Sequence, residues 1–265
     1  MTADTPFLKV RTGAGADYYQ AEAAGLRWLA ASGTCSVPVV RSVSAANLVI
    51  DRVPVGASTP AAGRRFGAQL ARLHQAGAPA FGSAPPDAPE RGWIADLPMN
   101  YGDFTTFGPM YAQLRVLPYV RLARAAGQLS GPDCGPFEEL AEALADDEPG
   151  LVGPPEAASR LHGDLWSGNL IWAADRIGQP TAWLIDPAAH GGHRETDLAM
   201  LALFGAPQLA EIMAGYQAEV PLSEGWQARR GLHQVYPLLV HTVMFGGGYA
   251  ASARSAAVRA LRALR

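Results

Sequence analysis

The chain has 265 residues and a formal net charge of −3, with 49% hydrophobic and 17% charged residues. This composition supports a packed core and excludes a disordered chain, while the weak negative charge excludes the basic footprint of a nucleic-acid-binding protein. The two cysteines, Cys35 and Cys134, are too few and too far apart for a disulfide framework or a zinc ribbon.

Targeting signals are also missing from the sequence pattern. The N-terminus has neither the basic start nor the apolar run of a signal peptide. The apolar run at 238–245 is less than half the length of a bilayer span. We therefore expect a cytoplasmic protein without a membrane partner, and its oligomeric state is left open.

The first fifty residues predict a small α+β unit. A short strand at 7–10 is followed by a helix from Asp17, which has Gln20 at capping-box spacing. Two further strands are expected at 37–40 and 47–50.

The rest of the chain predicts mainly helices, with a few strands near its middle. A helix ending near Gly77 is followed by a Pro- and Gly-rich loop at 78–98 and a helix at 104–127 that Pro118 kinks. The remaining predicted elements are a helix around 137–144, strands at 158–162, 169–173 and 181–186, and helices at 193–204, 207–218, 223–245 and 249–264. We expect two lobes, residues 1–53 and 54–265, with a ligand site at the seam between them.

The segment 161–171, Leu-His-Gly-Asp-Leu-Trp-Ser-Gly-Asn-Leu-Ile, has the strongest functional pattern. It places Asp164 and Asn169 five residues apart on a tight loop, and Asp186 follows at the end of an apolar strand. Kinase-type phosphoryl transfer needs a carboxylate for the proton of the acceptor hydroxyl and oxygen ligands for magnesium. Each residue alone is typical of capping, but the three together at this spacing indicate phosphoryl transfer.

These residues resemble the fructosamine kinase (ketosamine kinase) family. The resemblance lies in His-Gly-Asp-Leu-Trp-Ser-Gly-Asn at 162–169, Ile-Asp-Pro-Ala at 185–188 and Gly-His-Arg-Glu-Thr-Asp-Leu-Ala-Met at 192–200, and it covers nearly all the chain from residue 7 onward. It implies a two-lobed, protein-kinase-like α+β fold with a small N-terminal sheet lobe carrying one helix and a larger, mainly helical C-terminal lobe. It also implies ATP and Mg²⁺ as cofactors.

The resemblance further implies roles for single residues. Lys9, the one lysine in the chain, matches the strand lysine that contacts ATP phosphates, and Glu22 matches its helix partner. Asp51 and Val53 fall at the connector that would meet adenine. Asp164 matches the catalytic base, and the remaining matches are the magnesium ligands Asn169 and Asp186.

Three residues are candidates for contact with the acceptor. Trp166 lies two residues from the predicted base and offers a flat face to a sugar ring or its amine. His193 and Arg194 belong to the charged run that marks the family, and a solvated surface is the other interpretation of that run. Asp197 is interpreted instead as a carboxylate that starts a helix or braces a loop.

The chain departs from the family pattern at its beginning. The fold normally starts with a hairpin whose Gly-rich loop covers the ATP phosphates, and eight residues without glycine precede Lys9. We therefore expect either that the true start lies upstream of Met1 or that the phosphate lid is absent, in which case the nucleotide should bind weakly.

The function expected from this pattern is ATP-dependent phosphorylation of a sugar hydroxyl on ketosamines, the adducts of sugars with amines. Two alternatives stay open. One is a kinase of the same fold that acts on another small alcohol, such as an aminoglycoside or choline. The other is a pseudokinase without a lid that binds a ligand without turnover.

Overall fold

The computed structural model describes residues 6–13, 15, 17–262 and 264. Residues 1–5, which entered the signal-peptide prediction, lie outside the described residues. Within the described ranges, no helix has both the length and the apolar character that crossing a membrane requires.

The N-terminal unit is a three-stranded antiparallel sheet with one helix packed on it. The strands are β1 (Pro6–Lys9), β2 (Val40–Val43) and β3 (Leu48–Asp51), in the order β1-β3-β2. Among the described residues no strand pairs with the outer edge of β1. The helix α1 (Tyr18–Ala30) follows β1 in sequence and directs its apolar face at the sheet.

Two local predictions for this unit were wrong. The strand expected at 37–40 lies at Val40–Val43, because the segment before it pairs elsewhere: Ser36 forms a bridge to Trp183, and Pro38 has no N–H for a ladder. The capping box does not form either, since the Asp17 side chain makes no cap hydrogen bond to α1.

The helix α2 (Pro60–Gln75) joins the sheet to the larger part of the molecule. Its N-cap Thr59 accepts a hydrogen bond from the backbone N–H of Ala62 at 3.1 Å. Gly67 lets α2 approach a later helix closely, because a Cβ at this position would lie 1.9 Å from the carbonyl oxygen of Ile212. The predicted lobe boundary after residue 53 falls between β3 and α2 and stays a prediction.

The segment expected to be a loop at 78–98 contains a hairpin instead. Its strands are β4 (Arg91–Ile94) and β5 (Leu97–Asn100), which pair antiparallel across a two-residue turn. Ala95 in that turn has φ of +49°, a conformation in which glycine is the usual residue. The hairpin reaches the N-terminal unit, where Trp93 packs on Tyr18.

The helix predicted at 104–127 is helical from 107 to 125 but irregular. It consists of α3 (Phe107–Met110), a π-helical segment (Tyr111–Val116) and α4 (Leu117–Ala125). Pro118 cannot donate to the carbonyl four residues earlier, and that carbonyl, of Leu114, accepts from the Arg115 guanidinium at 3.2 Å. The π-helical segment ends two residues before Pro118, and the predicted kink at Pro118 stays a prediction.

The remaining elements follow the predicted order, with a short helix at 149–152 and a strand at 190–192 that were not predicted. They are α5 (Gly135–Ala145), α6 (Pro149–Val152), β6 (Ser159–Leu161), β7 (Leu170–Ala174), β8 (Pro180–Leu184), β9 (His190–Gly192), α7 (Glu195–Leu203), α8 (Leu209–Glu219), α9 (Trp226–Phe245) and α10 (Gly248–Arg262). Strand β7 pairs with β8, and β6 pairs with β9. Short 3₁₀ turns lie at Pro132–Cys134 and Ser167–Asn169.

Two apolar clusters hold these elements together. One packs α1, β2 and β3 against α2, β7, β8, α7 and α8, with Phe66, Leu70 and Tyr216 among its buried side chains. The other joins the β4–β5 hairpin and the helices α3 to α6 to α9 and α10. The candidate site lies where the two clusters and the N-terminal sheet meet.

Candidate active site

The predicted catalytic residues converge because β7 and β8 form a hairpin. Asn169 directly precedes β7 and Ile185 directly follows β8, and the backbone N–H of Ile185 donates to the carbonyl of Asn169 at 3.2 Å. This pairing brings Asp186 beside the loop 162–169, which carries Asp164. Asp186 has φ of +54°, a left-handed conformation that Asp tolerates better than most residues.

Asp164 and Asn169 are bonded to each other inside this loop. The Nδ2 group of Asn169 donates to the Asp164 carboxylate at 2.9 Å and to the Asp164 carbonyl at 2.8 Å. Burial raises the pKa of the Asp164 carboxyl to about 7, although the Asn169 hydrogen bond acts to lower it. A carboxyl with this pKa both loses and accepts a proton near neutral pH.

Lys9 ties the N-terminal sheet to the loop after β8. Its ammonium group forms ion pairs with Glu22 of α1 and with Asp186, the latter at 2.5 Å. Burial alone would lower the pKa of Lys9, but the charges of Glu22 and Asp186 raise it overall. Lys9 therefore presents a permanent positive charge at the same cleft as Asp164.

Asp197, in the first turn of α7, supports the loop 162–169 from the interior. Its carboxylate accepts hydrogen bonds from the backbone N–H groups of His162 and Gly163, at 2.8 and 2.9 Å. His74 lies 3.2 Å from the same carboxylate and contacts Tyr216 through its other ring nitrogen. Burial would raise the pKa of Asp197, but these hydrogen bonds and the imidazole of His74 lower it overall. The predicted loop-bracing role of Asp197 is confirmed.

Asp51 ends β3, and the connector that carries Val53 follows it. Asp51 forms an ion pair with Arg41 at 2.5 Å. Val53 is buried against Ala173 and Trp183 of the β7–β8 hairpin. Both residues are on the segment that leaves the N-terminal sheet, and their contact with a nucleotide base stays a prediction.

The cleft has a volume of about 290 Å³ and holds several residues that the motif search missed. Asp164, Trp166, Asn169 and Asp186 line it. The β4–β5 hairpin, α1 and the end of α9 contribute further lining residues, which are Tyr18, Trp93, Ile94, His241, Met244 and Phe245. No sequence motif links these three elements. The one signal in the sequence that could have indicated Phe245 was an aromatic residue at the end of a predicted helix.

The structure does not bring His193 and Arg194 into this cleft. His193 is buried, where its ring stacks on that of His233 with a centroid distance of 5.0 Å. Arg194 forms a bidentate ion pair with Glu156, at 2.6 and 2.7 Å. The structure thus places both residues in contacts outside this cleft, and their contact with the acceptor stays a prediction.

The oxygen atoms at the cleft fit a magnesium ion. Because the amide nitrogen of Asn169 donates to Asp164, the amide oxygen of Asn169 points away from that carboxylate. Asp186 contacts Lys9 through one carboxylate oxygen, which leaves its second oxygen for a cation. Carboxylate and amide oxygens are the ligands that Mg²⁺ takes, with water and phosphate completing its shell.

A two-lobed fold with a lysine–glutamate pair and an Asp–Asn loop beside a second Asp defines a phosphotransferase of the protein-kinase-like class. The family model for fructosamine kinase matches residues 2–263. The chain therefore belongs to the fructosamine kinase family, and it is an ATP-dependent phosphotransferase.

Individual relatives agree with this membership. A protein of Synechocystis sp. named a probable ketoamine kinase is 33% identical over 266 residues, covering 97% of this chain and 83% of the relative. A solved structure named as a fructosamine-3-kinase from Thermobifida fusca has a TM-score of 0.87 and 43% identity, covering 97% of this chain and 85% of the other. A choline kinase from Streptococcus pneumoniae is similar in fold alone, with a TM-score of 0.58 and 16% identity over 97% and 86% of the two chains. The predicted family and fold class are confirmed.

Proposed function

We propose that this protein transfers the γ-phosphoryl group of ATP to a sugar hydroxyl of a ketosamine. Family membership supports the acceptor class, and the cleft supports the reaction. The observation that carries the proposal is the pairing of Lys9 with both Glu22 and Asp186 beside Asp164. It places a cation for phosphate charge and a carboxylate for an alcohol proton at one cavity.

In this mechanism some residues bind the nucleotide and others act on the acceptor. Lys9, braced by Glu22, neutralises charge on the ATP phosphates. Asp164 orients the acceptor hydroxyl and accepts its proton as the new phosphate ester bond forms, while the bond between the β-bridging oxygen and the γ-phosphorus breaks and ADP leaves. Asn169 holds the Asp164 carboxylate in place through its Nδ2 group.

Asn169 and Asp186 would hold Mg²⁺ through their side-chain oxygens. The ion supplies positive charge that stabilises the phosphate oxygens during transfer. Trp166 provides a flat apolar face beside Asp164 for the sugar or its cationic amine. Asp51 and Val53 would meet the adenine base with backbone groups.

The test is an assay of ADP release with fructosyl-lysine as the acceptor, and with lysine, choline and an aminoglycoside as alternative acceptors. We expect turnover with fructosyl-lysine alone. Asp164→Asn should lower kcat by about 10²- to 10⁴-fold with little change in ATP affinity, whereas Asp186→Asn should abolish Mg²⁺-dependent ATP binding. Asp146→Asn, an exposed carboxylate at the end of α5, is the matched control.

Two outcomes would contradict the proposal. Turnover of choline or an aminoglycoside in preference to fructosyl-lysine would assign another acceptor class to the same chemistry. A rate for Asp164→Asn equal to that of Asp146→Asn would show that Asp164 is not the base.

A further inference from the structure

Five aromatic rings form a continuous surface that begins in the loop 162–169 and ends in α10. Trp166 contacts Phe204 with a centroid distance of 6.2 Å, and Phe204 contacts His241 at 4.7 Å. His241 contacts Phe245 at 5.5 Å and Tyr249 at 5.1 Å. We call these five residues the aromatic strip.

The aromatic strip is exposed where it meets the cleft. Three aromatic residues are among the exposed large hydrophobic side chains in the described part of the chain, and two of them belong to the strip: Trp166 at 39% and Phe245 at 62%. Both also line the cleft that contains Asp164. Contiguous exposed apolar surface next to a reaction site is typical of ligand contact rather than of core packing.

The glycine run at 246–248 fixes this exposure. Helix α9 ends at Phe245, and Gly246 and Gly247 have φ of +61° and +60°. A Cβ at Gly246 would lie 2.1 Å from the side-chain oxygen of Gln128. The run therefore makes a tight turn, after which Tyr249 packs beside Phe245 at a ring distance of 6.1 Å. This turn therefore keeps Tyr249 beside Phe245, which lines the cleft.

The cleft is polarised along its length. Glu22 and Asp186 line the cleft and pair with Lys9, whereas the lining residues from α9 are Val240, Met244, Phe245 and the imidazole of His241. His241 adds no positive charge to that lining near neutral pH, because burial lowers the pKa of its imidazole. In the proposed function, nucleotide phosphates at Lys9 block that side for an acceptor whose hydroxyl reaches Asp164. The rest of the acceptor must leave past Trp166 toward α9.

We propose that the aromatic strip is a specificity subsite for the group carried on the amine nitrogen of the ketosamine, and that it selects apolar or aromatic groups. The inference rests on the proposed function for the identity of the sugar part. The sugar lies beside Asp164 with its cationic nitrogen on the face of Trp166, and the nitrogen substituent packs on Phe245 and His241.

The experiment uses two acceptors of equal charge made from one sugar: the fructosamine of benzylamine and the fructosamine of ethanolamine. We expect the full chain to favour the benzyl compound by about tenfold or more in kcat/KM, as follows from burial of one aromatic ring against others. Phe245→Ala should reduce this ratio severalfold, and Phe245→Trp should restore it. Ile177→Ala removes another exposed apolar side chain, in the β7–β8 turn and outside the lining of the cleft, and should leave the ratio unchanged.

Equal kcat/KM for the two acceptors in the unaltered chain would overturn the subsite. So would a ratio that Phe245→Ala does not change. If neither compound is phosphorylated, the proposed function fails separately. Equilibrium titration of each compound against the unaltered and Phe245→Ala proteins then tests the subsite. Tighter binding of the benzyl compound that is lost in Phe245→Ala supports the subsite, and equal binding of the two compounds overturns it.

Discussion

Asp197 carries the backbone of the loop 162–169, and replacing it should separate that support from catalysis itself. Both carboxylate oxygens are used: Oδ1 accepts from the N–H of Gly163 and Oδ2 from the N–H of His162. Asp197→Asn has only one acceptor oxygen, so its amide NH₂ group must face a buried N–H donor. Leaving one buried donor without a partner costs about 1–3 kcal/mol.

Asp197→Ala removes both acceptors and should cost roughly twice as much, about 2–6 kcal/mol. That is a large fraction of the roughly 5–15 kcal/mol that holds a typical domain together. The free energy of unfolding can be measured by urea denaturation, with the slope of the transition checked for constancy. Because the loop carries Asp164, kcat should also fall for Asp197→Asn while the KM for ATP changes less.

The matched control is Glu211→Gln. Glu211 pairs with Arg64 at 2.7 Å, but the Arg64 side chain is 61% exposed, and exposed ion pairs contribute about 0–1 kcal/mol. The reasoning about Asp197 is refuted if Asp197→Asn destabilises the protein no more than Glu211→Gln and leaves kcat unchanged.

Three further predictions test other parts of the structure. The value of kcat/KM for the acceptor should rise about tenfold per pH unit up to about pH 7 and level off above it, because the Asp164 carboxyl has a pKa of about 7 and only its ionised form is a base. A flat profile between pH 5 and 7 would exclude Asp164 as the general base. Trp166→Ala should raise the KM for the ketosamine far more than the KM for ATP, whereas an equal rise for both would indicate loop collapse. Gly67→Ala should lower the free energy of unfolding by about 1–3 kcal/mol or more, since its Cβ would meet the carbonyl of Ile212 at 1.9 Å. In contrast, Gly231→Ala, whose Cβ has its nearest neighbour at 3.8 Å, should raise it by about 0.5–1 kcal/mol; equal effects of the two changes would contradict the close approach of α2 and α8.

The sequence predicts well those elements whose formation depends on residues close together in the chain. The strand that carries Lys9, the helices after residue 193 and the break at 246–248 all follow from apolar periodicity or glycine, and the structure has them within a few residues. The β4–β5 hairpin was missed because its strands have four residues each and its turn uses Ala95 at positive φ, without the glycine that normally marks such a turn.

The site divides in the same way. The convergence of Asp164, Asn169 and Asp186 was predictable because one loop and one strand end carry them. The contacts of His193 and Arg194 were not predictable, because the partner residues lie far away in sequence: Glu156 pairs with Arg194, and His233 stacks on His193. A charged run looks solvated when its partners are tens of residues distant. The wall formed by Trp93 and Phe245 was out of reach for the same reason, since three unconnected elements build it.

The environments of the two aspartates at the cleft separate their roles without reference to any motif. The Asp164 carboxylate accepts one hydrogen bond from an amide and has no cation paired with it among the described residues, and burial raises the pKa of this carboxyl to about 7. Asp186 has a side chain that is 46% exposed, and it forms an ion pair with Lys9. A general base needs a pKa near the working pH, whereas a group that holds a cation must stay ionised and accessible to it. Asp164 therefore suits the role of general base, and Asp186 suits the role of cation ligand. If the roles were exchanged, the acceptor proton would have to be taken by a carboxylate that is already paired with lysine.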